Sequence, residues 1–229
     1  MSKNQALIIG ASRGLGLAIA HELLRRGWMV TATVRGAART GLHVLADEFP
    51  GMLDIEHLEM TAPDQIGALK NTLAGRSFDL LFVNAGITHD KYRILGEFST
   101  EEFVRIMVTN ALAPVRVLEQ LAGNVRDGGT VGVMSSGRAS ITNNKEGEDE
   151  VYRASKAALN MLMKSFAVRR GEKHALFVMA PGWIQTDMGG PQATFTVDEV
   201  IQDVVDTILA QKDHRGLRYV NRFGETVPW

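Results

Sequence analysis

Apolar residues along the chain fall into short continuous runs at positions 6–9, 29–34, 79–83, 130–134 and 175–179, with Gly, Ser, Asn or Pro close behind each. Runs of this length predict strands covered on both faces, as in a parallel sheet. Between them apolar side chains recur at helical spacing, as at Leu15, Ile19, Leu23 and Leu24, and again at Phe103, Ile106, Met107 and Leu112. The alternation predicts a doubly wound α/β architecture with helices on both sides of the sheet. Helix punctuation agrees: Ser99 and Thr100 precede Glu101 and Glu102, Pro63 and Asp64 open another helix, and Gly27 follows the first.

Composition narrows the function classes. The 229 residues carry 25 basic and 26 acidic side chains, so no overall field would hold the chain on nucleic acid or an anionic membrane. There is no cysteine, which excludes disulfides, thiolate catalysis and thiolate metal sites. No apolar stretch is long enough for a signal core or a membrane span, and a cytoplasmic protein is expected. Six scattered histidines show no metal-ligand spacing, and no metal is expected. Without repeats or a Pro-, Gly- or Ser-rich linker, residues 1–229 are read as one domain. The polar run TNNKEGEDE at 142–150 reads either as a solvated loop or as a flap over the substrate.

The first strand runs into Gly10-Ala11-Ser12-Arg13-Gly14-Leu15-Gly16, directly before a helical pattern. Glycines there let the backbone turn sharply and approach a diphosphate, and the free amides of a helix start complement its charge. The spacing is G-x-x-x-G-x-G rather than the common G-x-G-x-x-G of dinucleotide sites. After the second strand stands Arg35, where an NAD site would place an acid. With Arg13 it offers two guanidiniums to a 2′-phosphate, so NADP(H) is favoured over NAD(H).

Tyr152 and Lys156 lie four residues apart in a helical segment and therefore share a face. An ammonium beside a phenol lowers its pKa and suits it to proton transfer. Ser135 and Ser136 follow the 130–134 strand, where either hydroxyl can reach a substrate oxygen, while Asn110 lies in an apolar helical stretch and needs polar partners.

Taken in order, GASRGLG at 10–16, Asn84-Ala85-Gly86, Asn110, Ser135-Ser136, Tyr152 with Lys156, and Pro181-Gly182 with Thr186 resemble the short-chain dehydrogenase/reductase family over essentially the whole chain. The resemblance implies about seven parallel strands in a Rossmann-like domain and a catalytic tetrad of Asn110, Ser136, Tyr152 and Lys156. In that scheme Ser136 orients a carbonyl, Tyr152 transfers the proton, Lys156 grips the nicotinamide ribose and acidifies the tyrosine, and Asn110 holds a relay water. Asn84, Ala85 and Gly86 line the adenosine side, and Pro181, Gly182, Ile184 and Thr186 flank the nicotinamide. Glu59 and Met60 stand where the family brackets adenine with Asp and an apolar residue. PGWIQTDMGG at 181–190, YRASK at 152–156 and the terminal Val-Pro-Trp are similar to the C-factor and Sniffer-type carbonyl reductases.

The serine-to-tyrosine spacing of 16 exceeds the family's usual spacing, marking 142–150 as a small insertion near the substrate entrance. Met188 stands where relatives carry a lid, with Gly189 and Gly190 as a possible hinge. The expected activity is NADPH-dependent reduction of an aldehyde or ketone. The alternative is an NAD(P)-binding sensor of the C-factor type with little turnover. A homodimer or homotetramer paired through the helices bearing Asn110 and Tyr152 is implied by the resemblance.

Overall fold

The computed structural model describes residues 3–170 and 172–229. Strands and helices alternate: β1 (Gln5–Ile9), α1 (Gly14–Arg25), β2 (Met29–Val34), α2 (Gly41–Glu48), β3 (Leu53–His57), α3 (Pro63–Thr72) and β4 (Phe78–Val83). Then come α4 (Thr100–Met107), a π-helical turn (Val108–Leu112), α5 (Ala113–Leu121), β5 (Val125–Met134), α6 (Glu150–Arg170), β6 (Ala175–Ala180), α7 (Val197–Ala210) and β7 (Leu217–Asn221). The seven strands form one parallel sheet in the order β3-β2-β1-β4-β5-β6-β7. This is the expected doubly wound arrangement.

Strand alternation sends Leu7 and Ile9 to one face, and Ala6 and Ile8 to the other. The first face packs under α3, α5 and α6 through Leu69, Leu118, Leu159 and Phe166, and the second under α1 and α7 through Ile19, Leu23, Val204 and Ile208. Because both faces are buried, the central strands read as unbroken apolar runs. Among the described residues no helix is long and apolar enough to cross a membrane.

The topology locates the site. The strand order reverses between β1 and β4, so their outgoing chains diverge and leave a crevice beyond the carboxyl ends of the strands. The glycine loop, Asn84, Ser135 and Ser136, and Pro181 all follow strand ends on this edge. The helix starting at Ser99 is closed by a reciprocal capping box with Glu102, as its sequence predicts.

The sheet also contains a close approach that the apolar pattern does not show. Phe82 and Phe177 stack with ring centroids 5.6 Å apart, and a Cβ on Gly132 would lie 2.2 Å from the Phe177 ring. Gly132→Val therefore forces the ring from its place, and a loss of about 1–3 kcal/mol is expected for such overpacking. Urea unfolding should show a lower midpoint at an unchanged m-value.

Candidate active site

A cleft of about 820 Å³ opens beyond the strand ends, lined from the glycine loop at one end to Trp183 and Met188 at the other. Of the residues singled out from the sequence, Gly10, Ser12, Arg13, Gly14, Leu15, Arg35, Glu59, Met60, Asn84, Ala85 and Gly86 line it. So do Ser136, Tyr152, Lys156, Pro181, Gly182, Ile184 and Thr186. Gly16 and Asn110 stand behind the wall and act on its shape.

The glycine loop is built by close backbone approach. Gly10 has φ +83°, and a Cβ there would fall 2.7 Å from that of Ala85. At Gly16 a Cβ would sit 2.2 Å from the Gly10 carbonyl oxygen and 2.7 Å from Asn84 Nδ2. Asn84 fixes the approach by donating from Nδ2 to that same carbonyl at 3.3 Å. On the other side Thr33 accepts the Gly10 amide at 2.9 Å through its hydroxyl. No side chain caps the start of α1 at Arg13, so the amides of its first turn remain suited to an anion. Glycine cradle, uncapped helix start and cleft size together fit a dinucleotide diphosphate.

Each of the two candidate arginines has its own carboxylate partner. Arg13 bridges to Asp187 at 2.6 Å, and Arg35 lies 3.7 Å from Glu59. Both side chains are largely exposed, so each ion pair is weak and exchangeable. Glu59 thus stands beside the guanidinium expected to meet a phosphate, and its carboxylate also accepts from the Thr61 amide and hydroxyl.

The polar face of α6 organises the other end of the cleft. Lys156 is 3% exposed and donates from Nζ to the Met134 carbonyl at 2.9 Å. Burial pushes its pKa down to about 8. Tyr152 lies one turn earlier, with the ammonium 6.0 Å from its ring centroid. Burial raises the phenol above its ordinary pKa, the neighbouring Ser136 side chain and the charge of Arg138 pull it back, and Asp149 pushes it further up. Lys156 is not among the groups that move this phenol, and burial is the largest influence on it.

The two serines have different partners. Ser135 is buried and gives its hydroxyl proton to Asn160 Oδ1 at 2.7 Å. Ser136 keeps its hydroxyl beside Tyr152, accepting the Arg138 amide at 3.1 Å, while its carbonyl accepts from Tyr219. Burial holds the Tyr219 phenol up at about 12, so it serves as a permanent donor.

Asn110 is completely buried in the π-helical turn. Its Oδ1 accepts from the Ile87 amide at 2.8 Å, and its Nδ2 donates to the Ile87 carbonyl at 2.9 Å and to Ser155 Oγ at 3.0 Å. The side chain therefore clamps the segment after Asn84-Ala85-Gly86 to α6.

Sequence reasoning overlooked two contributors to this wall. His89 accepts the backbone amide of Tyr152, and Arg138 gathers the carboxylates of the 142–150 segment. Neither has a local signal, because both depend on partners distant in sequence or on an insertion. The segment 181–190 is also more ordered than a free hinge: Trp183 Nε1 donates to the Gly189 carbonyl at 2.8 Å, and Thr186 Oγ1 accepts the Gly189 amide at 3.1 Å.

Comparison with known proteins agrees with this geometry. The family model for short chain dehydrogenase matches residues 4–195. A short-chain dehydrogenase/reductase from Burkholderia multivorans, solved with bound NADP, is 50% identical with a TM-score of 0.97, each chain covered in full. The carbonyl reductase Sniffer of D. melanogaster is 26% identical with a TM-score of 0.88, again with full coverage of both chains. C-signal of Myxococcus xanthus is 33% identical over 154 residues, which is 66% of this chain and 92% of that protein. With its seven-stranded Rossmann-like sheet, the chain belongs to the short-chain dehydrogenase/reductase family, NAD(P)-dependent oxidoreductases acting on CH–OH or C=O groups.

Proposed function

We propose that this protein reduces an aldehyde or ketone to an alcohol with NADPH, using Tyr152 as the proton donor. The observation that carries the reading is the convergence of Ser136, Tyr152 and the buried Lys156 ammonium on the lining of a dinucleotide-sized cleft. When bound, the reduced nicotinamide supplies the hydride to the carbonyl carbon.

The chain's own residues do the rest. Ser136 orients the carbonyl oxygen, and Tyr152 gives its proton to that oxygen as negative charge develops there. A phenol held above its ordinary pKa is fully protonated at neutral pH, as a donor in the reductive direction must be. Lys156 is placed to hold the nicotinamide ribose with a charge that has little competing solvation. The amides of Gly10, Ser12, Arg13, Gly14, Leu15 and Gly16 cradle the diphosphate. Met60, Asn84, Ala85 and Gly86 border the adenosine half, with Glu59 at its edge, and Pro181, Gly182, Ile184 and Thr186 border the nicotinamide. Residues 1–229 act as one domain in this scheme, on a small-molecule carbonyl compound.

Arg35 is assigned to the 2′-phosphate. Its link to Glu59 is long and exposed, so a dianionic phosphate can displace the carboxylate. Bound NADP in the Burkholderia relative supports this preference.

A second reading, an NAD(P)-binding signalling protein with little turnover, draws on the match to C-signal. The two are separated by NADPH oxidation against a panel of aldehydes and ketones, since tight cofactor binding with no turnover on any carbonyl would favour signalling. On the reductase reading, Tyr152→Phe should bind NADPH within about twofold of the wild type while kcat falls by at least about 10²-fold, the low end for a lost general acid. Undiminished turnover removes Tyr152 from the mechanism. Arg35→Asp should weaken NADPH by about 10- to 100-fold, the worth of a charged hydrogen bond, and leave NADH far less changed. Fluorescence titration reads both constants, and equal losses would mean that Arg35 does not recognise the phosphate.

A further inference from the structure

The helix carrying Tyr152 follows a residue of uncommon backbone conformation. The residue before it, Asp149, has φ +60°, the left-handed region, and is the only non-glycine residue among those described to do so. Such a conformation costs about 1 kcal/mol or more in a non-glycine residue and persists only where surrounding contacts impose it. Those contacts come from residues 89–95, some sixty positions earlier. The Asp149 amide donates to the Lys91 carbonyl at 2.9 Å, and Glu150 accepts the Leu95 amide at 2.5 Å. His89 Nε2 accepts the amide of Tyr152 itself at 3.0 Å.

The chemistry of the partners fixes the state of the His89 ring. A backbone amide can only donate, so Nε2 carries no proton in this bond. Nδ1 faces the Asp90 carbonyl at 2.7 Å, which can only accept, so the ring proton sits on Nδ1. The ring is further fixed edge-to-face against Phe98, with centroids 4.7 Å apart. Phe98 is covered on another side by Arg93, whose guanidinium lies 4.2 Å from its centroid and pairs with Glu102 of α4 at 2.8 Å. The imidazole is thus held on both nitrogens and one edge before any ligand arrives.

We propose that His89 is a positioning residue: the neutral imidazole, anchored by Asp90 and Phe98, caps the third residue of α6 and sets the height of the Tyr152 hydroxyl over the cleft. This rests on the role proposed above for Tyr152. It also gives a physical reason for the loop that forms part of the substrate wall to be tied to the proton donor, because His89 and Lys91 both line the cleft. Removing the acceptor leaves an orphaned amide at a helix end and lets the first turn relax, and displacements near 1 Å at a reacting group cost up to about 10²-fold in rate.

Two variants separate the acceptor from the packing. His89→Phe keeps an aromatic ring against Phe98 but offers no acceptor, whereas His89→Gln supplies an amide oxygen. The expected result is a kcat at least about tenfold lower in His89→Phe, with KM for the carbonyl and the NADPH dissociation constant within about twofold, and recovery of most of the loss in His89→Gln. The bond is also read without turnover. The Tyr152 amide proton should exchange faster in His89→Phe than in the wild type, and the imidazole nitrogen shifts of the wild type should report a proton on Nδ1 alone. Unchanged Tyr152 exchange, a wild-type kcat in His89→Phe, or equal impairment of both variants overturns the proposal. A wild type that turns over no carbonyl would instead overturn the reductase reading, with the exchange comparison still able to decide whether His89 caps the helix.

Discussion

The geometry of the cleft depends on one buried charge. Lys156 brings an ammonium to the carboxyl end of β5, where the Met134 carbonyl is its one hydrogen-bond partner among the described protein groups. A cation so placed is costly to desolvate, and the depression of its pKa measures that cost. What fixes its position is the rest of the polar stripe along α6. Ser155 reaches Asn110 and Asn160 reaches Ser135, so successive turns of one helix are tied to the π-helical turn and to the strand end. Each buried polar group left without its partner would cost about 1–3 kcal/mol. A shift of α6 by one residue would break all of these bonds together. The register of the helix, and hence the place of Tyr152, is therefore specified by polar contacts that an apolar interface could not enforce.

The opposite end of the cleft is specified by the absence of side chains. Gly10 and Gly16 bring the backbone of the β1–α1 turn against itself and against Asn84, closer than any Cβ permits. The two ends are joined through the sheet. Asn84 follows β4, and a few residues later the same chain is clamped by Asn110 through both backbone groups of Ile87. One segment, 84–89, thus passes from the glycine loop to the start of the tyrosine helix. Its backbone carries geometric information between the two halves of the site.

Most of this was legible where chemistry is local. Five central strands could be read because burial on both faces keeps them largely apolar, Thr31 and Thr33 of β2 being small polar exceptions. β3 and β7 escaped that reading because edge position exposes Asp54 and His57 in one, and leaves Leu217 and Arg218 half-exposed in the other. The glycine loop and the Tyr152–Lys156 spacing are local patterns, and the fold brings them to one cleft as expected. Contacts across the chain were not legible. Nothing in the sequence pairs Arg13 with Asp187, 174 positions away, or gives the Tyr152 amide to His89. Likewise, spacing shows that an ammonium is near Tyr152, but not which groups of other segments act on its phenol.

The 142–150 segment sharpens that last point. Its composition reads as a solvated loop or a flap, and its acids converge on two arginines, Arg138 beside the cleft and Arg153 on α6. Arg138 meets Glu146 at 2.9 Å, Asp149 at 3.5 Å and Glu148 at 3.7 Å, while Arg153 meets Glu146 at 3.2 Å. Arg138 and Asp149 are also the two charged groups that move the Tyr152 phenol, in opposite directions. The segment therefore does more than lengthen the approach to the cleft. It holds Arg138 among several carboxylates, and it places Asp149, in its left-handed conformation, where its charge favours the neutral phenol. The inserted segment thus supplies, through Asp149 and through the partners of Arg138, part of the charge environment of the Tyr152 phenol.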